Sequence, residues 1–137
     1  MKKIFLVLTM LFTIVSYGYS AELFTIRTAD DWNKFRTAVE NAKGKYDVDA
    51  ILDADITVNT YVGGGTAAPY RGTFNGNCHT LNVNISRSDG ASCAPFSYVG
   101  DVTIKDLHVT GKSSGGMHSA GLIGICNGSP TVTISRV

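Results

Sequence analysis

The sequence has little net charge of either sign. Its 12 Lys and Arg residues nearly balance its 11 Asp and Glu residues, and no stripe of basic residues runs along the chain. A protein that binds nucleic acid normally presents such a stripe to the phosphates. The composition therefore indicates that nucleic acid is not a partner of this protein.

The sequence also lacks an apolar run long enough to cross a membrane. The longest run, residues 4–15, is interrupted only by threonines, whereas a spanning helix needs about 20 apolar residues. Lys2 and Lys3 precede this run and small residues follow it, which is the pattern of a secretory signal peptide cleaved after Ser20. We therefore expect an exported protein, extracellular or on the outer cell surface, with no transmembrane segment in its near-neutral mature chain.

A single amphipathic helix is indicated after this segment, within residues 28–44. Thr28 is suited to cap its first turn, and Asp31 stands in the acidic position three residues later. Gly44 can end the helix. Residues 21–47 are thus predicted to form a short strand followed by a helix. The apolar residues that share one face of this helix, at 3,4,3 spacing, are Trp32, Phe35, Val39 and Ala42.

Residues 48–137 show no second helical pattern. Short β-rich segments alternate there with clusters of Gly, Asn, Asp and Ser, and nearly all of the fifteen glycines lie beyond residue 60. Three copies of one unit can be aligned, with a period of about 22 to 30 residues. Such a period predicts copies that stack to bury their apolar faces. In this alignment the matched positions are Phe74, Phe96 and Leu122; Leu81, Ile104 and Ile134; and Leu107 and Val137.

The predicted fold class is all-β. Residues 48–137 are expected to form a right-handed parallel β-helix, a solenoid whose N-terminal end is capped by the amphipathic helix. A β-sandwich is the alternative, because it also uses short strands at this density. The repeats stop in mid-strand at Val137, so we expect a truncated chain that naturally continues into further repeats or domains.

Several segments occur in the order found in a known family. They are a helix with the pattern Trp-x-x-Phe, then GTFNGNCHTLNVNI, APFSYVGDVTIKDLHVTG and AGLIG. This order resembles the exported surface proteins of Bacteroidetes-type bacteria with GLUG-like β-helical repeats, although Cys78 replaces a glycine of that pattern. The resemblance implies a right-handed β-helix at the cell surface. Members of this family are adhesin-like pieces of larger proteins. Because repeated flat β faces also suit binding over an extended surface, we expect a module that binds glycans or host and cell-surface proteins without catalysis.

The three histidines do not form a recognisable site. His79 has no acidic or cysteine partner at the spacing of a metal or nucleophile site, so we expect its ring to pack and hydrogen-bond the turn at residues 75–77. His108 is expected to face solvent from a strand, and His118 lies in a glycine-rich turn. The sequence accordingly predicts no catalytic residue and no cofactor.

Asp53 and Asp55 are the candidates for a metal site or for acid–base chemistry. On a strand their i, i+2 spacing would place both carboxylates on one face, although acids at a strand bend are also common for structural reasons. They support an alternative function, the N-terminal part of a secreted polysaccharide lyase or glycoside hydrolase. Aromatic residues that bind a ligand are expected among Tyr61, Tyr70 and Tyr98.

Cysteine is scarce, with only three residues in the chain, and an odd number leaves at least one thiol unpaired. In the alignment of copies, Cys78 and Cys126 occupy the same position two copies apart. Two strand spacings amount to about 10 Å, which exceeds the reach of a disulfide. Cys93 lies in a different part of its copy. We therefore expect three unpaired and largely buried thiols.

Overall fold

The computed structural model describes residues 23–137. The signal peptide predicted at residues 1–20 lies outside this range. Within it, the chain forms one α-helix and eleven β-strands. In chain order they are β1 (Leu23–Ile26), α1 (Ala29–Ala42), β2 (Asp49–Leu52), β3 (Ile56–Val58), β4 (Tyr70–Asn75), β5 (Thr80–Arg87), β6 (Ser92–Cys93), β7 (Phe96–Lys105), β8 (His108–Gly115), β9 (His118–Ser119), β10 (Ile123–Cys126) and β11 (Val132–Ser135).

The amphipathic helix predicted from the sequence is confirmed. The Thr28 hydroxyl accepts a hydrogen bond from the Asp31 N–H at 3.1 Å, and the Asp31 carboxylate accepts one from the Arg27 N–H at 3.1 Å. The chain leaves the helix through Lys43, whose φ is 52°. Across residues 23–137 no helix has the length and apolar character needed to cross a membrane. The buried residues of α1 are the predicted ones: Trp32, Phe35, Val39 and Ala42.

The strands form three sheets in which all the strand pairs are parallel. The largest sheet has the order β1-β2-β4-β7-β10, and β11 also pairs with β7, along its second half. A three-stranded sheet has the order β3-β5-β8, and β6 pairs with β9. Parallel strands cannot be joined by a tight hairpin. Within residues 23–137, β1 and β2 are the only successive strands that pair, and α1 connects them; every other strand pairs with strands that are not its neighbours in the chain.

The predicted fold class is wrong in its main claim. The chain is mostly strand with a single helix and its sheets are parallel, but the described residues do not form a closed solenoid. The strands are unequal in length, from ten residues in β7 to two in β6 and β9, and they belong to three separate sheets. The alternative of a β-sandwich is also wrong, because that fold is built from antiparallel sheets and every strand pair here is parallel.

The register also corrects the predicted alignment of copies. Ile104 pairs with Ile134 as expected, but Phe74 pairs with Ile104 and not with Phe96. Leu81 pairs with residues of β3 and β8 and not with Ile104. The alignment failed because β7 is long enough to include both Phe96, at its start, and Ile104, near its end.

A cluster of aromatic rings joins α1 to the largest sheet. The Trp32 ring centroid lies 6.0 Å from that of Phe74 in β4 and 5.8 Å from that of Phe96 in β7. Phe35 contacts Tyr70 at 5.3 Å. All five residues are fully buried. Aromatic pairs at such distances stabilise by about 0.5–1.5 kcal/mol beyond their burial, so this aromatic cluster fixes the helix on the sheet.

Replacing Trp32 tests the weight of the aromatic cluster. We expect Trp32→Ala to lower the free energy of unfolding by about 3–5 kcal/mol, because it leaves a cavity in the core. Trp32→Phe keeps an aromatic ring but loses the hydrogen bond from the indole N–H to the Thr60 carbonyl, 3.2 Å, and should cost about 1–2 kcal/mol. Urea denaturation measures both values.

Lys34→Ala on the exposed side of α1 is the control for this experiment. Its ion pairs with Asp30 and Asp31 are largely exposed, and such pairs contribute about 0.2–1 kcal/mol. The role assigned to the aromatic cluster is contradicted if Trp32→Ala costs no more than Lys34→Ala.

Candidate functional site

The outward face of the largest sheet carries a row of threonines. The register places Thr73 of β4 beside Thr103 of β7, and Thr103 beside Thr133 of β11. On β4 and β7 these residues alternate with fully buried ones such as Phe74 and Ile104. The threonine side chains therefore point away from the core. We call Thr73, Thr103 and Thr133 the threonine row.

The hydroxyl groups of the threonine row are available to a ligand. Adjacent strands are about 4.8 Å apart, so the hydroxyls recur at that interval across the strands. Within residues 23–137, none of the three hydroxyls has a hydrogen-bond partner in the protein. Each one can donate one hydrogen bond and accept two. The row is therefore a regular series of unused donors and acceptors.

The threonine row forms the floor of a shallow groove with a volume of about 200 Å³. Residues from β4, β7 and β11 line it, together with residues just outside β2 and β11. The groove is smaller than the 300–1,000 Å³ pockets of drug-sized ligands, and its lining is mostly polar. The lining residues are Asp47, Gly72, Thr73, Asp101, Val102, Thr103, Thr131 and Thr133.

A row of alternating charges runs along one side of the groove. The Arg71 guanidinium lies 3.5 Å from the Asp47 carboxylate and 2.8 Å from the Asp101 carboxylate. Asp101 also accepts a hydrogen bond from the Thr131 N–H at 2.9 Å. This backbone hydrogen bond, and next the charge of Arg71, lower the pKa of Asp101 below its ordinary value. The carboxylate is thus held in its ionised form and fixed in position.

Gly72 shapes the end of the groove nearest to β2. Its φ is 119°, and a Cβ atom there would lie 2.7 Å from the Val48 carbonyl oxygen and 2.9 Å from the Asp49 carboxylate. The pairing of β4 with β7 shifts its register between Tyr70 and Gly72. Past this irregularity, Asp49 accepts the Thr73 N–H at 2.7 Å. Only glycine fits here, since any side chain would push β4 away from Val48 and Asp49 at the start of β2.

His79 lies at the turn between β4 and β5, where it meets an acidic side chain that is distant in sequence. Its ring Nδ1 lies 3.3 Å from the Asp55 carboxylate, and its backbone N–H donates a hydrogen bond to the Gly76 carbonyl. Asp55 also accepts the Thr80 N–H at 2.7 Å. The Thr80 hydrogen bond first, and His79 second, lower the pKa of Asp55. The ring was expected to hydrogen-bond the turn at residues 75–77; the backbone of His79 does bond that turn, but its ring faces Asp55, which the fold supplies from 24 residues away.

The other two histidines lie on exposed strands away from the groove. His108 is exposed in β8, as the sequence predicts for a solvent-facing strand residue. His118 is exposed in β9 and not in a turn. Neither side chain lines the groove described above.

Asp53 and Asp55, the candidates for a metal site, lie in the turn between β2 and β3 and not on a strand. Asp53 forms an ion pair with Arg27 at 2.8 Å, whereas Asp55 faces His79 and the Thr80 N–H. The two carboxylates therefore share no strand face; they lie at a strand bend, the structural alternative that the sequence also offers. In the part of the chain that the structure describes, no three His, Cys, Asp or Glu residues are grouped so that they could hold a metal ion.

The three tyrosines proposed for ligand binding occupy different environments. Tyr70 is fully buried in the aromatic cluster, so its expected surface position is wrong. Tyr61 is half-buried, with the guanidinium groups of Arg36 and Arg87 over its ring at 5.0 and 4.0 Å from the centroid. Those contacts occupy the surface that a ligand would stack on. Tyr98 is half-buried in β7.

The three cysteines are free, as predicted, but only Cys93 is buried. Its thiol approaches the carbonyl oxygens of Ile85 and Ser114. Cys78 is exposed in the turn before β5 with a φ of 63°, and Cys126 is exposed in β10. The expected burial of these two thiols and their equivalence in the repeat are wrong. They lie in different elements, a turn and a strand.

The groove residues were not candidates in the sequence reasoning, although the sequence carries a signal for them. The segments 72–74, 102–104 and 132–134 read GTF, VTI and VTI, and each has a threonine at its centre. They lie at constant intervals, and the register pairs them directly. A search for polar residues repeated at this interval would have found the threonine row.

Acidification tests the hydrogen bonds of Asp55. A carboxyl group whose pKa is lowered by folding contributes stability above its unfolded pKa, and that stability is lost as the pH falls through the folded value. The ordinary value for Asp is 3.8, so the contribution should decline below about pH 5. We expect the free energy of unfolding of wild type to be higher than that of Asp55→Asn at pH 7. This difference should shrink as the pH falls and vanish near pH 2. Urea denaturation at several pH values measures this; a difference independent of pH contradicts it.

Thiol labelling tests the placement of the cysteines. With Ellman's reagent, we expect Cys78 and Cys126 to react rapidly in the folded protein because both are exposed. Cys93 should react only as fast as the protein opens or unfolds, and all three should react at once in urea. Fast labelling of three thiols in the native state, or a slow phase assigned by mass spectrometry to Cys78, contradicts the described burial.

In comparisons with known proteins, no family model, no curated protein and no solved structure matches this chain. The likeness to exported proteins with GLUG-like repeats thus stays a prediction from the sequence.

Proposed function

We propose that the protein is an exported, surface-associated module that binds glycans without catalysis, and that the groove over the threonine row is its binding site. The signal-peptide pattern and the likeness to adhesin-like repeat proteins support export and surface display. The observation that carries the proposal is the series of unpaired hydroxyls in an open polar groove. Sugar hydroxyls are themselves donors and acceptors, and they match such a series.

The charged groups of the groove support the binding of uncharged hydroxyl groups. The Asp101 carboxylate is fixed by Arg71 and by the Thr131 N–H, so it need not be reorganised when a ligand arrives. A preorganised site loses less free energy on binding than a mobile one. Oxygen atoms of fixed carboxylates can accept hydrogen bonds from sugar hydroxyls in addition to their protein contacts.

The same groups favour binding over hydrolysis. A glycosidase needs one carboxylic acid whose pKa is raised so that it can protonate the leaving group. The pKa of Asp101 is lowered by its hydrogen bond to Thr131 and by Arg71, which is the opposite change. Asp47 is engaged by the same guanidinium, 3.5 Å away.

Affinity gel electrophoresis with a panel of polysaccharides tests this function. We expect retardation of the protein by at least one neutral polymer among xylan, mannan, soluble β-glucan and soluble cellulose derivatives. Thr103→Lys should weaken this binding by about tenfold or more, equivalent to at least about 1.4 kcal/mol, because it fills the centre of the groove. Asn84→Lys adds the same charge at an exposed position of β5 and should leave binding unchanged.

Three outcomes contradict the proposal. One is that no polymer retards the folded protein, and another is that both Lys variants reduce binding equally. The third is the release of new reducing or unsaturated ends from any polymer, including polygalacturonate and alginate, which would favour the polysaccharide-degrading alternative. Circular dichroism and melting temperatures of both variants establish that each is folded.

A further inference from the structure

We infer that the groove recognises a linear, neutral, extended glycan that lies across the strands, with about one sugar unit over each strand. This inference rests on the proposed function and adds the ligand's charge, shape and direction. It depends on three features of the described face: the arrangement of its lining residues, the interval between its hydroxyls, and the balance of its charges.

The lining residues set the direction of the ligand. Thr73, Thr103 and Thr133 lie on three neighbouring strands in direct register, and the Asp49 carboxylate of β2 accepts the Thr73 N–H at 2.7 Å beside one end of the row. A ligand in contact with the whole row must therefore run perpendicular to the strands. It would contact three successive strands, β4, β7 and β11, each through the same outward position.

The interval between these positions sets the shape of the ligand. Neighbouring strands repeat at about 4.8 Å, which is close to the length of one pyranose unit in an extended β-1,4-linked chain. Such a chain can place one sugar unit near each strand; successive units are turned over, but each carries hydroxyls on both edges and so offers one to the strand beneath it. A coiled chain of the same sugar, such as an α-1,4-linked glucan, drifts away from a straight row after one or two units.

The open form of the groove indicates recognition along a chain and not at its end. Sites that enclose a ligand bury most of its surface, whereas this groove is shallow and its polar floor continues from strand to strand. Thr131 and Thr133 lie at one end of it and Asp47 at the other. Sugar units beyond the groove can therefore extend in both directions.

The charges of the face select against acidic glycans. Three carboxylates lie in or beside the groove, those of Asp47, Asp49 and Asp101. Of the cations on this face, Arg71 is paired with Asp47 and Asp101, and Lys105 lies one outward position beyond Thr103. A uronate or sulfate group over the threonine row would meet more negative than positive charge, so neutral sugars fit better.

Isothermal titration calorimetry with oligosaccharides of defined length tests the inference. The probes are β-1,4-linked xylo-, gluco- and manno-oligosaccharides of one to six units, with malto-oligosaccharides and oligogalacturonates of the same lengths for comparison. We expect affinity for at least one β-1,4-linked series to rise about threefold or more with each unit up to about three, as each new unit adds hydrogen bonds, and then to level off. The malto- and galacturonate series should bind at least about tenfold more weakly.

Replacing each threonine of the row with valine removes a hydroxyl while keeping the shape of the side chain. We expect Thr73→Val, Thr103→Val and Thr133→Val each to weaken hexasaccharide binding by about fivefold. None should alter the affinity for a monosaccharide by as much. Thr66→Val, at an exposed loop position outside the groove, is the matched control and should bind as wild type does.

The outcomes separate this inference from the proposed function. Equal affinity for one and six units, equal binding of the coiled and extended glucans, or a preference for oligogalacturonates would overturn the inference while glycan binding stands. The absence of binding to every oligosaccharide and polymer would overturn both. Equal loss in the row variants and in Thr66→Val would show that the threonine row is not the site.

Discussion

Parallel pairing in register is the constraint on which the rest of this structure depends. When strands pair in this way, a residue on one strand lies directly beside its counterpart on the next, so any property of one position is repeated as a column across the sheet. Phe74 and Ile104 form such a column inside, where both are fully buried. The threonine row forms the neighbouring column outside. The same register therefore aligns the core residues on one face of the sheet and the proposed binding residues on the other.

Aspartate side chains serve this register wherever the regular ladder is interrupted. The carboxylates of Asp49, Asp55 and Asp101 each accept a hydrogen bond from the backbone N–H of a threonine, at 2.7–2.9 Å. Each threonine lies in the neighbouring strand of the sheet or directly before it. The Thr73 N–H is part-buried, and such a group is costly without a partner. The other two hydrogen bonds are exposed and fix a turn and a strand entry. The sequence shows these acids as ordinary turn residues. In the structure they join successive strands of a sheet.

The sequence predicted those parts of the fold that local chemistry determines. The helix has its cap, its buried face and its left-handed end within about sixteen residues, and it was predicted nearly completely. Pairing between distant strands was predicted less well. Phe96 and Phe74 look equivalent in sequence, but β7 is ten residues long, and Phe74 pairs with Ile104 near its end and not with Phe96 at its start. The same limit applies to the site. The partner of His79 lies 24 residues away, and the threonine row appears only when three distant segments are placed side by side.

The position of α1 has a consequence for how the molecule opens. The helix contacts β1, β3 and β4 and joins them to the core through the aromatic cluster, whereas β8, β10 and β11 each pair with a single strand. Within the described residues, β10 and β11 can therefore separate without breaking any other pair, but β4 can separate only after losing contacts with β2, β7 and the helix. Backbone amides should then exchange with solvent in a spatial order, fastest at β10 and β11 and slowest beneath the helix. The free energy of local opening should therefore increase from β10 and β11 towards the strands beneath α1.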